Sequence, residues 1–290
     1  MGNSKFTVIG GDIRSIKLAN LIAQDGYKVN IYGFNNASFD TGLPESPDMT
    51  TAMTGSDFVI GPLPCSNDNE TINAPFHKGK IYINEVFQTI AKNQLFIAGR
   101  ISGKVKHLAE IYNVQSTDIL EREDMAILNA IPTAEGAIQI AMEELPITLH
   151  ESNCVVLGFG RIGKTLAKML QGLGANVFVE ARKYSDLAWI KSYGFKPVLL
   201  SDLDSFIPQA DVIFNTIPFV LLDETKLKLV DKECLIIDLA SKPGGVDFEK
   251  AKAIGVKAIW ALSLPGKVAP VTAAKFIKET VFNIIGELGV

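Results

Sequence analysis

Cys154-Val-Val-Leu-Gly-Phe-Gly-Arg-Ile-Gly163 is an apolar run that feeds into three glycines spaced G-x-G-x-x-G, and Lys164-Thr-Leu-Ala-Lys-Met-Leu170 follows with helical periodicity. The pattern reads as strand, tight turn and helix, the arrangement that receives a dinucleotide diphosphate. Gly158 makes the turn, Gly160 lets backbone approach the phosphates, and Gly163 lets the helix pack close to the strand. With Arg161 and Ile162 these residues form the expected cofactor cradle at a helix N-terminus. Gly174 closes the helix and Asn176-Val-Phe-Val179 supplies the next strand, completing a β-α-β unit.

The nucleotide is chosen at the end of that second strand, where an NAD site carries Asp or Glu about 20 residues after the glycines. Here the chain reads Val179-Glu-Ala-Arg-Lys183. Ala181 stands where the acid belongs, and Arg182 with Lys183 follows at the turn, where a guanidinium grips a 2′-phosphate. NADP is therefore expected over NAD. Glu180 is the contrary sign, because a carboxylate directed into the site selects NAD.

The same β-α-β pattern occurs earlier. Val8-Ile-Gly-Gly-Asp-Ile-Arg14 leads through Leu18, Ala19 and Ile22 to Gly26 and Lys28-Val-Asn-Ile-Tyr32, matching Val156 to Val179 without a gap. In this first copy Asp12 replaces Gly160 and Ser15 replaces Gly163. A carboxylate aimed at a diphosphate repels it, so the second copy alone is expected to hold the nucleotide.

The expected architecture is α/β: two Rossmann-like, doubly wound parallel-sheet domains with a cleft between them. Residues 1–130 form the substrate domain and residues 131–271 the NADP domain, and a C-terminal helix within 272–290 packs back on the first. That helix runs from Phe276 to Leu288 with Phe276, Val281, Ile284 and Ile285 on one face. Further strands of the first domain are read at Phe58-Val-Ile60, Lys80-Ile-Tyr-Ile83, Leu95-Phe-Ile-Ala98 and Ala126-Ile-Leu128. A linker helix covers Asn129 to Glu143, with Pro132 in its first turn and Thr133 capping an N-terminus open to the cleft.

Ligands of open α/β sheets sit beyond the carboxyl ends of the strands. Asp12, Arg14, Ser66, Arg100 and Ser102 are therefore candidates for a substrate wall, with Thr133 and the amides beside it receiving a carboxylate. Turn and capping chemistry accounts for each of them singly as well. In the second domain Ala210-Asp-Val-Ile-Phe-Asn-Thr-Ile-Pro218 places Asn215, Thr216 and Pro218 along the cofactor, and Asp238 ends the next strand, where it also reads as a buried carboxylate bonded to backbone.

Composition narrows the class. The chain has 290 residues, 47% hydrophobic and 21% charged, which suits two domains with sizeable cores. A net charge of −4 points away from nucleic acid or an anionic membrane as the main partner. The apolar run Phe6-Thr-Val-Ile9 is too short for a signal peptide or a membrane span, so a cytoplasmic enzyme is expected. Cys65, Cys154 and Cys234 lack C-x-x-C spacing and read as reduced structural thiols, and no metal site is expected.

Taken together, Val8-Ile-Gly-Gly-Asp-x-Arg14, Ile131-Pro-Thr-x-Glu-Gly136, Gly158-x-Gly-Arg-x-Gly163, Asn215-Thr-Ile-Pro218, Asp238-Leu-Ala-Ser-Lys-Pro-Gly-Gly245 and Leu264-Pro-Gly-x-Val-Ala-Pro-x-Thr-Ala273 resemble the dipicolinate synthase A-subunit family over nearly the whole chain. The resemblance implies an NADP-dependent oxidoreductase acting on a CH–CH bond. Its reaction would oxidise dihydrodipicolinate to pyridine-2,6-dicarboxylate during sporulation, in the mother cell of a spore-forming bacterium. It also implies the flavoprotein-like B-subunit of dipicolinate synthase as partner, and a homo-oligomer is expected. Glu180 departs from it, since a small residue is expected there.

This chemistry suits the residues. Hydroxy-acid dehydrogenases of similar layout use a His to take the hydroxyl proton, and His77, His107 and His150 all precede the glycine fingerprint. A dihydropyridine gains aromaticity on losing hydride and a proton, so the protein has mainly to orient the ring and hold two carboxylates. Arg14, Arg100 and Lys104 are the candidates for holding them. Two alternatives remain: another NADP-linked dehydrogenase of a small carboxylate, shikimate- or hydroxy-acid-like, and a non-catalytic NADPH-binding regulatory module.

Overall fold

The computed structural model describes residues 4–289. In chain order it begins with β1 (Lys5–Ile9), α1 (Ile13–Gln24), β2 (Lys28–Tyr32), α2 (Met49–Met53) and β3 (Phe58–Ile60). It continues through α3 (Ile83–Thr89), β4 (Leu95–Ala98), α4 (Gly103–Ile111) and β5 (Gln115–Asp118) to the long helix α5 (Glu123–Glu144). Then come β6 (Asn153–Leu157), α6 (Arg161–Gly172), β7 (Asn176–Ala181), α7 (Tyr184–Ser192), β8 (Lys196–Leu199), β9 (Val212–Asn215) and α8 (Glu224–Leu227). The chain closes with β10 (Leu235–Asp238), α9 (Phe248–Ile254), β11 (Lys257–Trp260), α10 (Leu264–Val268) and α11 (Pro270–Leu288). Two compact units result: one takes the described residues up to Leu128 and from Ala269 onward, the other Asn129–Val268.

In the first unit a five-stranded parallel sheet has the order β2-β1-β3-β4-β5. Alternate residues of each strand enter different layers, as the two-residue period of a strand requires. Phe6, Val8, Phe58, Ile60, Leu95 and Ile97 pack with Ile16, Ala19 and Ile22 of α1 and with Ile277, Val281, Ile284 and Ile285 of α11. On the opposite face Ile9, Val59, Phe96 and Ala98 meet Val86 and Phe87 of α3 and Val105 and Ala109 of α4. Both faces are covered, which is why β1, β3 and β4 read as continuous apolar runs.

The second unit has a six-stranded parallel sheet of order β11-β10-β9-β6-β7-β8. Numbered from its own first strand, this is the order 6-5-4-1-2-3 of a doubly wound dinucleotide-binding fold. Cys154, Val156, Val212, Phe214, Leu235 and Ile237 face one layer together with Leu166, Ala167 and Leu170 of α6 and with Ala134, Ala137 and Ala141 of α5. Val155, Leu157, Ile213 and Ile236 face the other.

Two strand expectations are corrected. Lys80-Ile-Tyr-Ile83 contributes only an isolated antiparallel bridge, Thr71 to Tyr82, before α3 begins at Ile83. Ala126-Ile-Leu128 is helical, because α5 starts at Glu123, upstream of the expected linker helix. Pro132 consequently lies inside the helix, removing one backbone donor. A mid-helix proline costs about 3 kcal/mol, and burial of Ala134, Ala137, Ala141 and Leu145 along one face outweighs it. The strand that closes the first sheet is β5, whose Gln-Ser-Thr-Asp sequence carries no hydrophobic signal because it lies at an edge.

Candidate functional site

The glycine turn of the second unit has the geometry its sequence requires. Gly158 leaves β6 at φ +93°, in the left-handed region that favours glycine. A Cβ on Gly163 would overlap the Gly158 carbonyl oxygen, so the close approach of α6 to the turn demands glycine there. A Cβ on Gly160 would meet no atom within 4 Å. Gly160 is the N-cap of α6 and makes no side-chain capping bond, leaving first-turn amides without an intrahelical partner. Uncapped amides beside open space fit a diphosphate. Gly158, Gly160, Arg161, Ile162 and Gly163 would hold it, with Arg161 exposed at the first helical position.

The equivalent turn of the first unit is filled by its own side chains. Asp12 is the N-cap of α1 and accepts the Arg14 backbone N–H at 2.9 Å. The Arg14 guanidinium donates to the same carboxylate, Nε at 3.0 Å to Oδ1 and Nη2 at 2.8 Å to Oδ2, and Nη2 also donates to the Leu63 carbonyl at 2.5 Å. At the end of β2, Glu45 Oε1 accepts the N–H groups of Gly33 and Phe34 at 2.7 and 2.9 Å. Internal carboxylates thus take up N–H groups at the start of α1 and after β2 of the first unit.

At the end of β7, Ala181 is buried while Arg182 and Lys183 are exposed, Lys183 serving as N-cap of α7. Glu180, 1% exposed, turns back to the glycine turn, and its Oε2 accepts the Gly158 N–H at 3.2 Å. Its Oε1 is buried without a hydrogen-bond partner. Burial pushes this carboxyl above the ordinary range, opposed by the Gly158 N–H and by the Arg182 charge. Sequence reasoning identified Glu180 as anomalous but missed this contact; the pairing of Leu157 with Glu180 across β6 and β7 creates it.

The segment after β9 divides by exposure. Thr216 donates to the Leu157 carbonyl at 2.8 Å and lies against Gly158, while Pro218 is exposed. Asn215, expected along the cofactor, is instead fully buried. Its Nδ2 donates to Asp238 Oδ1 at 2.7 Å and to the Ile217 carbonyl at 3.0 Å. Asp238 also accepts from Ala240 N at 3.0 Å and Gly245 N at 2.7 Å, so this pair braces the strand ends from inside.

Of the candidates for a substrate wall, Arg100 is exposed and sits at φ +56° in the loop after β4. Asp118, which sequence reasoning missed, holds that loop by accepting the N–H groups of Arg100 and Ile101 at 2.9 and 2.6 Å. Its signal was an acid before the short apolar turn Ile119–Glu121. Ser102 caps α4 by accepting the Val105 N–H at 3.3 Å, and Ser66 accepts the Asn69 N–H at 2.9 Å within its own loop. Thr133 does not cap a helix start: it lies within α5 and donates to the Asn129 carbonyl at 2.7 Å.

The three cysteines are buried and unpaired, and burial pushes Cys65 and Cys234 up to about 12 and Cys154 to about 11, which makes them inert. Among the described residues no cluster of three or more His, Cys, Asp or Glu is disposed to hold a metal ion. No helix among them is long and apolar enough to cross a membrane.

Residues 5–120 match the N-terminal domain of the dipicolinate synthase A-subunit, and residues 122–242 match the NAD binding domain of D-isomer specific 2-hydroxyacid dehydrogenases. The dipicolinate synthase A-subunit of Bacillus subtilis (strain 168) is 32% identical over 98% of this chain and 96% of its own length. The crystal structure of the dipicolinate synthase A-subunit from Bacillus halodurans superposes with a TM-score of 0.89 at 30% identity, covering 98% of this chain and 99% of that one. The corresponding protein from Bacillus subtilis also gives 0.89 at 30% identity, covering 100% and 98%. A nucleotide turn left open in one half, its counterpart closed by Asp12 and Arg14 in the other, and similarity of this extent along the whole length together mean that the chain belongs to the dipicolinate synthase A-subunit family.

Proposed function

We propose that the chain oxidises dihydrodipicolinate to pyridine-2,6-dicarboxylate with NADP. The observation that carries the nucleotide half of this reading is the uncapped N-terminus of α6 beside the open space at Gly160. When bound, the nicotinamide would accept one hydride, and the proton lost as the dihydropyridine becomes aromatic would pass to solvent. The first-turn N–H groups of α6, from Arg161 to Gly163, would bind the diphosphate, while the Gly158 N–H is given to Glu180. Arg182 and Lys183, exposed after β7 where an NAD site would carry an acid, favour the 2′-phosphate. Thr216 borders the same turn, and Pro218 is exposed two residues on.

The substrate's two carboxylates fall to basic residues of the first unit. Arg14 is largely committed to Asp12 and Leu63, so it stiffens its turn and offers its remaining Nη1 donors. Arg100 and Lys104 are exposed and carry the larger share. The relatives' name also supports the synthase's B-subunit as partner.

The test is direct. Purified chain with dihydrodipicolinate and NADP, with and without the B-subunit, is expected to generate the absorbance of reduced nicotinamide. Turnover confined to shikimate or a 2-hydroxy acid would replace the substrate. Tight NADPH binding with no turnover of any dicarboxylate, even when the B-subunit is supplied, would make the chain a binding module.

A further inference from the structure

Glu180 is the least satisfied buried ionisable group beside the nucleotide turn. It is 1% exposed, its Oε2 has one long bond from Gly158 N at 3.2 Å, and its Oε1 has none. Buried carboxylates are ordinarily surrounded by donors or paired with a cation. The strand neighbours of Glu180 are apolar, Leu157 on β6 and Val198 on β8. Thr216 and Ile217 close the turn against Gly158, and the Thr216 hydroxyl is spent on the Leu157 carbonyl. The charged group that acts on Glu180 is Arg182, two residues on. Such surroundings favour the neutral acid, which needs no cation.

We propose that Glu180 is a specificity-determining residue whose proton decides which nicotinamide dinucleotide the chain takes. As the neutral acid it leaves Arg182 available to the 2′-phosphate. Once ionised it draws the Arg182 charge to itself and sets a like charge near the phosphates, so the form with a free 2′-hydroxyl gains. This rests on the reading that Arg182 receives the 2′-phosphate, and it deepens that reading by making NADP preference dependent on pH. The sign is fixed: preference for NADPH is strongest below the folded-state pKa of Glu180 and falls as pH rises through it. The 2′-phosphate itself gains charge near pH 6, which acts in the opposite sense, so a falling preference isolates Glu180.

The experiment measures dissociation constants of NADPH and NADH by nicotinamide fluorescence from the ordinary carboxylate range, pH 4.5, up to pH 9, for the unaltered chain, Glu180→Gln, Glu180→Gly and Arg182→Ala. For the unaltered chain the ratio of the NADPH to the NADH constant is expected to rise about tenfold across this range. In Glu180→Gln it should stay low and show no rise, only the slight fall set by the 2′-phosphate, and Glu180→Gly reports the same if the glutamine variant does not fold. A ratio independent of pH in the unaltered chain, or an equal slope in the variants, overturns the proposal. The parent reading fails separately: if Arg182→Ala leaves NADPH affinity unchanged at pH 6, the 2′-phosphate site is lost and this proposal with it. A flat ratio while Arg182→Ala still weakens NADPH binding overturns the role of Glu180 alone.

Discussion

Arg14 grips Asp12 twice, through its backbone N–H at 2.9 Å and through its guanidinium at 2.8 and 3.0 Å, so the carboxylate caps α1 and neutralises its own charge within one turn. The equivalent cap in the second unit is Gly160, which has no side chain to do this. The cap residue is the part of this difference that a single substitution can transplant.

Gly160→Asp is expected to keep the fold and lose the cofactor. The Cβ enters open space, and an N-cap aspartate in place of glycine adds only a few tenths of a kcal/mol to helix stability, so the fold is kept. The same carboxylate competes for the diphosphate amides and repels the phosphates, so cofactor affinity should drop at least about 100-fold, roughly 2.7 kcal/mol. Thermal unfolding and NADPH titration of one preparation check both halves; a variant that still binds NADPH normally would remove the diphosphate from this turn.

Arg100→Ala should raise the KM for dihydrodipicolinate about tenfold or more, with NADPH affinity unchanged, because it removes an exposed charge-assisted donor and no packing. Arg14→Ala should behave differently. It strips the Asp12 carboxylate of its cation, so a loss of thermal stability is expected to accompany the weaker substrate use. Equal stability loss in both variants, measured by denaturant unfolding, would count against assigning Arg100 to substrate.

Asp238→Ala removes the acceptor for Asn215 Nδ2, Ala240 N and Gly245 N, all buried. Each orphaned donor costs about 1 to 3 kcal/mol, so the second unit should lose at least about 3 kcal/mol. Asp238→Asn, which keeps the shape and an acceptor, should lose much less. Urea unfolding followed by the fluorescence of Trp189 and Trp260, both in that unit, distinguishes these outcomes.

The first unit carries an acid-sensitive clasp. Arg122 binds Asp124 at 2.9 Å and Glu287 of α11 at 2.7 Å, and its guanidinium holds Asp124 down to about 2 and Glu287 below the ordinary range. A carboxylate whose folded pKa is lowered stabilises above its unfolded value, about 3.9 for Asp, and that stability disappears as pH falls toward 2. Solvent screens these partly exposed groups, so the Arg122–Asp124 pair is worth about 1 kcal/mol at most. Arg122→Ala should lower the melting temperature by a few degrees at pH 6, and the gap should close between pH 4 and pH 2.

Much of this architecture was legible in the residues because parallel strands covered on both faces are apolar throughout, as in Val155-Val-Leu157 and Leu95-Phe-Ile-Ala98. The strand Gln115–Asp118 escaped notice because an edge strand has little to bury. Pro132 marked a false helix start, since local propensity favours proline in a first turn and the packing of Ala134, Ala137 and Ala141 that overrides it joins residues far apart in sequence. Asn215 looked like a cofactor ligand because it ends a strand; its partner Asp238 lies 23 residues away on the adjacent strand.

The order of residues alone determined the duplicated β-α-β unit and the single open glycine turn, because both depend on spacing and on the presence or absence of a Cβ. Only the tertiary structure decided that Arg14 clamps Asp12, that Glu45 accepts the N–H groups after β2, and that Glu180 lies buried against Gly158 with one oxygen unpartnered. Those outcomes depend on which strands lie side by side and how far a carboxylate reaches between them, and a linear pattern does not encode either distance.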